Sequence, residues 1–478
     1  MLSKTDFLTF LDSPMHLWAS THDQLEIQTP TPYEQHLMQQ GQQVEALARQ
    51  YLESFLLATC EDARMLWQEP FDNGKYKIRA DALIWDPRND IYDLYEIKSS
   101  TSVRKDHIYD LAFQVLLLEE ILLLRRTNIL HINKAYQHGD ALDLKKFFIV
   151  EDLTDQVSQE RESVDKARQE AWVVSQMNEP DHSFACTKPK SCPCPSLCHP
   201  DLPEDPIYNI PYIGKKAGDL REMGITSIQD IPESFNLNLK QRKHQQAVSS
   251  GHPQIDTPAI RKALDSLSYP LYFLDYETFN PAIPLFPRYH PYEHIVFQYS
   301  LFVVEHPRAE PQHFDCLLTE PEDPAPKIVP HLLDHLGIEG SVIVWNQSFE
   351  AQRNEDLANH CPQFAERLLG INHRLYDLMR IFKDGHYVHR DFHGSASLKA
   401  VLPVMCPNLR YKDLTISSGE DAMLTWYQLQ VGAIPDEDRV EVETNMKDYC
   451  RLDTFGMVEI LNRLHEIIRS ENGNYQGS

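Results

Sequence analysis

The N-terminal part of the chain alternates between helical and strand-like patterns of apolar residues. Two runs rich in aromatic and β-branched residues, 76–85 and 92–98, predict strands joined by a turn at 86–90. Apolar positions recur with a period of about 3.6 residues in three stretches that we predict as helices: 34–57, 106–126 and 151–177. A Cys- and Pro-rich stretch ends this mixed α/β region, whose bounds we predict as 1–206.

The remainder of the chain divides into a short helical segment and a second α/β region. In 207–262, a short helix, Gly224 and a second short helix are typical of a helix-hairpin-helix-like module, which binds backbone phosphate through helix N-termini. A small helical connector is the alternative interpretation. Over 263–478 strands and helices alternate, and apolar runs at 271–274 and 342–345 predict buried strands.

The composition narrows the class of protein. With 478 residues the chain can form two or three domains. Its net charge of −26 argues against a general basic coat for nucleic acid, although a local basic groove is compatible with an acidic whole. The apolar region 111–124 is interrupted by Gln114, Glu119 and Glu120, so we predict a buried helix and no membrane span. Because no secretion signal pattern follows Met1, we expect a cytoplasmic protein. The sequence does not indicate its oligomeric state.

Two carboxylates follow the apolar run at 271–274. Asp275 and Glu277 are two positions apart in a predicted strand, so their side chains project from the same face. Chance alone supplies about three such pairs in so acidic a chain, and the strand context is therefore what matters. Paired carboxylates on a rigid element are suited to a hard divalent cation.

Three further residues extend this pair into a pattern. Glu350 follows the next predicted strand, and Tyr449 and Asp453 lie one turn apart in a predicted helix. In this order the residues resemble the Y-x3-D subclass of the DEDD family of 3′-to-5′ exonucleases. The resemblance implies a ribonuclease H-like domain over 263–478, with two Mg²⁺ or Mn²⁺ ions held by Asp275, Glu277, Glu350 and Asp453. It also implies that Tyr449 positions the attacking water, and it has one departure, since the family usually has Asp where Glu350 stands.

A second set of polar residues lies on the two predicted N-terminal strands. Asp81 and Glu96 come close if these strands are neighbours, and Lys98 shares a face with Glu96. Two carboxylates can bind a metal ion, and an adjacent lysine can orient or help deprotonate a water and offset phosphate charge. These residues therefore predict a site for metal-assisted hydrolysis of a phosphodiester.

This set resembles the PD-(D/E)xK nuclease superfamily, specifically its RecB-like branch. The resemblance implies a restriction-endonuclease-type fold, a metal held by Asp81 and Glu96, and Lys98 as a catalytic residue. The branch carries a catalytic Gln on the helix after the lysine, a place that Gln114 fits. It also carries a metal-facing His or Glu on an upstream helix, for which Glu45 is the candidate.

Four of the nine cysteines lie close together near the end of the first region. Cys186, Cys192, Cys194 and Cys198 have the spacing C-x5-C-x-C-x3-C, which without a secretion signal indicates a metal or iron–sulfur site. The other five are scattered, and we predict them to be buried thiols: Cys60, Cys316, Cys361, Cys406 and Cys450.

The cysteine cluster adds to the RecB-like resemblance. Relatives of the CRISPR-associated and AddB-like types hold a 4Fe-4S cluster with one N-terminal and three C-terminal cysteines. In this chain Ser13 stands where the N-terminal cysteine is expected. The resemblance then leaves Cys194 as the fourth ligand, with His199 less favoured. Zn²⁺ and no metal at all are the alternatives to the iron–sulfur cluster.

The combination resembles a group of bacterial two-nuclease proteins over most of the chain. It implies a metal-dependent nuclease that acts on DNA, single-stranded or with free ends, and has a 3′-to-5′ exonuclease site in its C-terminal half. The departures at Ser13 and Glu350 favour an alternative, a nucleic-acid-binding scaffold in which one or both sites are inactive. A further alternative is an exonuclease directed at RNA.

Overall fold

The computed structural model of the protein describes residues 1–26, 29–56 and 62–474. The chain forms two units, one made of Met1–Asp201 with Pro281–Glu293 and the other of Leu202–Asn280 with His294–Ser478. Both are mixed α/β, which confirms the predicted fold class at that level. Within the described ranges, no helix combines the length and the apolar character needed to cross a bilayer. Cys60 and the predicted helix end at 57 lie outside the described residues.

The first unit is built on a six-stranded sheet. Its strands are β1 (Leu2–Ser3), β2 (Arg64–Asp72), β3 (Tyr76–Asp86), β4 (Ile91–Lys98), β5 (Leu124–Ile132) and β6 (Phe148–Asp152). Along the sheet β3 is antiparallel to β4, β4 is parallel to β5, and β5 is antiparallel to β6. Both β2 and the short β1 pair with β3. The helices are α1 (Lys4–Asp12), α2 (Pro14–Thr21), α3 (Pro32–Tyr51), α4 (Lys105–Leu118), α5 (Leu144–Phe147), α6 (Thr154–Ser175) and α7 (Pro195–Cys198).

Helix α4 covers one face of this sheet and is shorter than the hydrophobic period predicts. Its buried Leu111 and Phe113 pack with Leu83 and Leu94 of the sheet in one apolar core. We predicted a helix over 106–126, but α4 ends at Leu118. The last predicted residues belong to β5, which pairs in parallel with β4. Helical and buried-strand patterns are hard to separate in an apolar run, and here strand pairing decides.

The second unit contains a five-stranded sheet and a two-stranded one. The strands are β7 (Gln254–Ile255), β8 (Leu271–Phe279), β9 (Ile295–Val304), β10 (Gln312–Leu317), β11 (Ser341–Val344), β12 (Leu375–Asp377) and β13 (Tyr387–Val388). The larger sheet has the order β10-β9-β8-β11-β12, with antiparallel pairs on one side of β8 and parallel pairs on the other. Strand β8 is thus central, and β7 pairs with β13 in the small sheet.

Ten helices of the second unit surround these sheets in the described residues. They are α8 (Lys216–Glu222), α9 (Leu239–Ser250), α10 (Thr257–Leu264), α11 (Ala325–His335), α12 (Gln347–His360), α13 (Ala365–Asn372), α14 (Arg380–Lys383), α15 (Leu398–Met405), α16 (Gly419–Gln430) and α17 (Asp436–Asn474). In the predicted helix-hairpin-helix-like segment, α8 and Gly224 are followed by a single 3₁₀ turn, Ile228–Asp230, where a second helix was predicted. This segment has an apolar core of its own around Ile207, Leu220 and Ile228.

Candidate active sites and metal centre

The first unit brings its predicted carboxylates together where β3 and β4 pair. The backbone N–H of Ile97 donates to Asp81 Oδ2 at 2.9 Å, which joins the two strands at this point. Lys98 Nζ lies 2.8 Å from Glu96 Oε1, as strand alternation predicts for residues two apart. The amide of Gln114, on α4, donates to Glu96 Oε2 at 2.8 Å. Four of the five predicted residues therefore share one site.

Glu45 reaches this site through a residue that the sequence did not single out. Gln68 Nε2 donates to Glu45 Oε1 at 2.6 Å and lies 3.4 Å from Asp81 Oδ1. The backbone of Gln68 has a φ of 53°, a left-handed conformation that is uncommon for a residue other than glycine. Such strain persists when surrounding contacts over-determine it, and it is frequent at functional sites.

Two further residues that sequence reasoning missed change the charge of the first site. Lys4, at the start of α1, places its Nζ 2.7 Å from Glu96 Oε1. Asp110, one turn before Gln114 on α4, accepts from Lys98 Nζ at 2.6 Å. The site therefore contains two ammonium groups and four carboxylates, those of Glu45, Asp81, Glu96 and Asp110.

The lysines hold Glu96 in its ionised form. Burial raises the pKa of the Glu96 carboxyl, but Lys98 and Lys4 outweigh it and lower that pKa to about 2. By contrast, burial and the charge of Glu96 raise the pKa of Asp81 to about 7. Glu96 accepts three hydrogen bonds, and an ionised carboxylate offers about four lone-pair sites, so one remains for a metal contact.

A separate buried cluster in the first unit contains three cysteines and a histidine. The Sγ atoms of Cys186, Cys192 and Cys198 and one ring nitrogen of His16 all lie within 4.8 Å of one another. All four residues are buried, and the set could hold a metal ion. Its fourth member is therefore His16, from α2, and not Cys194 or His199. Cys194 Sγ lies 3.8 Å from Cys198 Sγ but falls outside the set.

His16 lies close to Ser13, where the RecB-like resemblance leads us to expect a cysteine. His16 lies three residues further along, about one turn of α2, while Ser13 Oγ donates to the carbonyl of Phe184 at 2.8 Å. Asp12 Oδ2 lies 2.9 Å from His16 Nδ1, which leaves Nε2 to face Cys192 Sγ at 3.5 Å. A carboxylate on the far nitrogen is the usual partner of a metal-binding histidine.

The second unit brings together its four predicted carboxylates. Asp275 and Glu277 project from β8, Glu350 lies in the first turn of α12 after β11, and Asp453 lies on α17. Glu277 and Glu350 are buried, and the other two are half-buried. Glu350 Oε2 has no hydrogen-bond partner in the described part of the chain. An unpartnered buried carboxylate oxygen is costly, and a bound cation would satisfy it.

Burial and mutual repulsion oppose ionisation of this second set. Burial and then Asp453 raise the pKa of Asp275 well above its ordinary value, and burial and then Asp275 do the same for Glu277 and Glu350. Burial raises the pKa of Asp453 to about 6. Like charges that share a buried site cannot all ionise unless a counter-charge is present. The chemistry of this donor set, all hard oxygens, suits Mg²⁺ or Mn²⁺.

Two tyrosines and a lysine flank the second set. The hydroxyl of Tyr411, which the sequence did not indicate, donates to Asp453 Oδ1. Lys399 Nζ lies 5.6 Å from the ring centre of Tyr449 and 5.7 Å from that of Tyr411. Burial and then Asp453 raise the pKa of Tyr449, so its hydroxyl stays protonated. A Cβ at Gly419, the first residue of α16, would lie 3.8 Å from Glu277 Oε2, so this helix N-terminus closely approaches the site.

Residues 272–397 match a family described as "Domain of unknown function (DUF2779)". The matched region includes Asp275, Glu277 and Glu350 and ends before Tyr449 and Asp453. It therefore covers the part of the second unit that supplies three of the four carboxylates.

Curated proteins from two mycoplasmas are similar to part of the chain. "Uncharacterized protein MG366" of Mycoplasma genitalium is 23% identical over 217 residues, which is 42% of this chain and 32% of that protein. Its homologue in Mycoplasma pneumoniae is 25% identical over 207 residues, 39% of this chain and 31% of that protein. The chain thus spans about a third of the length of these relatives. No solved structure matches the chain.

The remaining cysteines differ in their surroundings. Cys361 is buried, as predicted, whereas Cys316 and Cys406 are only partly buried. Cys450, predicted as a buried thiol without a role, is buried but lies beside the second carboxylate set, with its Sγ 4.0 Å from Asp275 Oδ2. It is a neighbour of the site that sequence spacing alone did not reveal.

Proposed function

We propose that the protein is a metal-dependent nuclease that hydrolyses phosphodiester bonds of DNA, with a 3′-to-5′ exonuclease site in the second unit. The observation that carries this proposal is the convergence of Asp275, Glu277, Glu350 and Asp453, with Tyr449 beside them. Four carboxylates held together by a central strand and two helices are destabilising without cations. Bound divalent cations would offset the repulsion between these carboxylates and could bind a substrate phosphate.

In this proposal, the residues of the second site bind the metal ions, orient the metal-binding side chains or supply positive charge. Bound Mg²⁺ or Mn²⁺ would supply a Lewis acid for the phosphate and a water of lowered pKa. The four carboxylates would hold these ions, and Tyr411 fixes Asp453 through its hydroxyl. Tyr449, kept protonated, can donate a hydrogen bond to the attacking water or to a phosphate oxygen. Lys399 supplies positive charge at the edge of the site.

The first unit would contain a second nuclease site of the PD-(D/E)xK type. In this site Glu45, Asp81 and Glu96 would hold a metal, and Lys98 would orient a water beside the phosphate. Gln114 fixes Glu96 by its amide, and Lys4 adds a second cation on the same carboxylate. Lys98 and Lys4 are charged and ion-paired with Glu96 and Asp110. A phosphate of the substrate would compete with these carboxylates for the ammonium groups and would be stabilised by them.

The Cys–His cluster of the first unit would hold a single zinc ion. Tetrahedral Zn²⁺ with sulfur at ~2.3 Å and nitrogen at ~2.0 Å places its ligand atoms about 3.5–3.8 Å apart. The 3.5 Å between His16 Nε2 and Cys192 Sγ fits that geometry. A 4Fe-4S cluster attaches each ligand to a different iron, which requires a wider separation of ligand atoms than this set has. Purified protein should accordingly be colourless and contain about one zinc ion per chain. A brown, iron-containing preparation would contradict the zinc proposal and favour the 4Fe-4S cluster.

Degradation of end-labelled single-stranded DNA in Mn²⁺ tests the proposed function. Wild type should release labelled mononucleotide from a 3′-labelled strand, and Asp275→Asn should abolish that release. Lys98→Met should remove any remaining cleavage, and Asp265→Asn, which alters an exposed carboxylate, is the matched control. If a double variant with Asp275→Asn and Lys98→Met degrades DNA as fast as wild type, the proposal fails. Faster degradation of a matched RNA would favour the RNA-directed alternative, and DNA binding without any cleavage would favour the scaffold.

A further inference from the structure

The second unit contains a pocket outside the four-carboxylate site. Segments 211–212, 240–244 and 382–396 line it, and we call it the His244 pocket. Its volume is about 70 Å³, enough for several water-sized groups or for most of a six-membered ring. Gly394 has a φ of 75°, and a Cβ there would lie 1.9 Å from the carbonyl oxygen of Asn209. The wall is thus formed by two segments in close backbone contact.

A buried, uncharged imidazole lines this pocket. His244 is 2% exposed, and its Nε2 has no hydrogen-bond partner among the described residues. Burial, assisted by the nearby His393, lowers the pKa of His244 to about 4, so the ring is neutral at physiological pH. A neutral imidazole has one donor and one acceptor nitrogen, and leaving a buried one unused costs free energy. A ligand with a polar edge would satisfy it.

The rest of the lining is aromatic and basic. Phe382, Tyr387 and Phe392 pack against one another with ring centres 5.7–5.9 Å apart. Tyr212 at the rim is 80% exposed, so its aromatic ring is accessible to a ligand. Its φ of 52° is an uncommon, strained conformation for a residue other than glycine. Lys240 and Lys383 also line the pocket. Lys240 Nζ is ion-paired with Asp384 at 2.9 Å, whereas Lys383 is exposed.

The pocket is joined to the four-carboxylate site by a short path along the chain. Ala396 is a lining residue, and Lys399, beside Tyr449, follows three positions later. The indole N–H of Trp345 donates to the carbonyl of Ala396 at 3.0 Å, and Trp345 comes directly after β11, five residues before Glu350. A ligand that occupies the pocket would therefore contact the segment that leads into α15, the helix that contains Lys399.

We propose that the His244 pocket binds one nucleotide of the substrate strand, with the base against His244 and the aromatic wall and the phosphate at Lys383. Aromatic faces stack on any base, and lysines attract backbone phosphate. The neutral imidazole can hydrogen-bond to the polar edge of the base. This inference rests on the proposed function, and it adds a nucleotide subsite next to the site of hydrolysis.

Calorimetric titration with thymidine 5′-monophosphate tests the subsite. The protein is the full chain with Asp275→Asn, in EDTA, so that binding through metal ions at the carboxylates is removed. Thymidine 5′-monophosphate should bind, thymidine more weakly, and inorganic phosphate at least tenfold more weakly. His244→Phe should weaken nucleotide binding at least tenfold, and His252→Phe, an exposed position, is the matched control. Lys383→Gln should weaken binding of the nucleotide but not of the nucleoside. Because Lys383 is exposed, this result does not require the protein to accommodate a new side chain at the buried position of His244.

Four outcomes decide this inference, and the last two separate it from the proposed function. Equal affinity for phosphate and nucleotide would overturn it, because the base would not be read. Tighter binding of a tyrosine-containing peptide than of the nucleotide would also overturn it. Absent nucleotide binding in a protein whose wild type degrades DNA would overturn the subsite alone. Nucleotide binding that His244→Phe removes, in a protein whose wild type degrades no nucleic acid, would support the pocket and reject the proposed exonuclease.

Discussion

The two carboxylate sites of this protein solve the same electrostatic problem in different ways. In the first unit, Glu96 and Asp110 are buried, but Lys98 and Lys4 lie within hydrogen-bond distance of Glu96. In the second unit, Glu277 and Glu350 are buried among acids; the charge of Lys399 acts on Glu277 and that of Arg353 on Glu350, but neither outweighs burial. The first site is balanced in large part by its own lysines, whereas the acids of the second are less offset by cationic side chains, and we propose that divalent cations supply the remaining charge.

The pKa directions express this difference. Two lysines lower the pKa of Glu96 to about 2 against the effect of burial, although burial and the charge of Glu96 raise the pKa of Asp81 to about 7. In the second unit burial and neighbouring acids raise the pKa values of all three of Asp275, Glu277 and Glu350. Metal binding should therefore stabilise the second site more than the first. Loss of one lysine should destabilise the first site, because it leaves a buried carboxylate charge unpaired. Loss of one carboxylate should stabilise the metal-free second site, because it reduces the repulsion between acids.

The largest expected effect is on activity and comes from Asp275→Asn. The substitution keeps the shape of the side chain and removes a carboxylate that we propose as a metal ligand from the centre of β8. We expect exonuclease activity to fall by more than the ~10–100-fold that loss of an outer-shell partner of a metal costs. Release of 3′-terminal nucleotides in Mn²⁺ measures it. The same variant in EDTA should unfold at higher temperature than wild type, since repulsion is relieved; a lower unfolding temperature would contradict the comparison.

Metal addition should distinguish the two sites by their stability. At Mn²⁺ a hundredfold above its dissociation constant, binding contributes about 2.7 kcal/mol to the free energy of unfolding. Hydrogen exchange should slow more in peptides covering β8 than in those covering β4, and Asp275→Asn should remove the β8 effect. Equal protection of both strands would mean that the charge difference has no consequence.

The second site should also have a distinct pH dependence when metal is absent. Its carboxyl pKa values are raised on folding, so the unfolding free energy should fall as pH rises from about 4 through the folded pKa values, that of Asp453 being about 6. Unfolding of the second unit followed in EDTA measures this trend. Added Mn²⁺ should cancel or reverse the trend; a stability that rises over the same range without metal would refute it.

Lys4→Met should have the opposite sign from Asp275→Asn. It removes one of two ammonium groups from the buried Glu96 and Asp110, and we expect a loss of ~2 kcal/mol, below the ~3–5 kcal/mol typical of an uncompensated buried ion because Lys98 remains. Urea unfolding of the first unit measures it. The control is Lys77→Met, which removes an exposed lysine from β3. A Lys4→Met protein as stable as the control would show that Lys98 alone balances the site.

The parts of these sites that sequence pattern predicts are those set by local periodicity. Asp275 with Glu277, and Glu96 with Lys98, share a face because strands alternate, and no tertiary information is needed. Gln114, by contrast, came from the resemblance to the RecB-like branch, which carries a glutamine on the helix after the lysine.

The residues that the pattern missed depend on contacts between distant elements. Lys4 reaches Glu96 across 92 positions of the chain, and His16 joins three cysteines that lie 170 to 182 positions further along. The helix predicted over 106–126 was wrong at its end because pairing of β5 with β4 outweighs a local apolar pattern.

The smallest expected effect tests how the second site orients its acids. Tyr411→Phe removes the hydroxyl that donates to Asp453 and leaves the aromatic ring in place. A hydrogen bond to a charged group contributes about 1.5–3 kcal/mol, so misorientation of Asp453 should cost roughly tenfold in kcat. The activity should return partly at higher Mn²⁺, because the missing bond weakens the hold on the metal and does not remove a ligand. Tyr449→Phe is the contrasting variant: its hydroxyl is proposed to contact the water or phosphate, so excess Mn²⁺ should not rescue it. Equal rescue of both variants would assign Tyr449 the same orienting role as Tyr411.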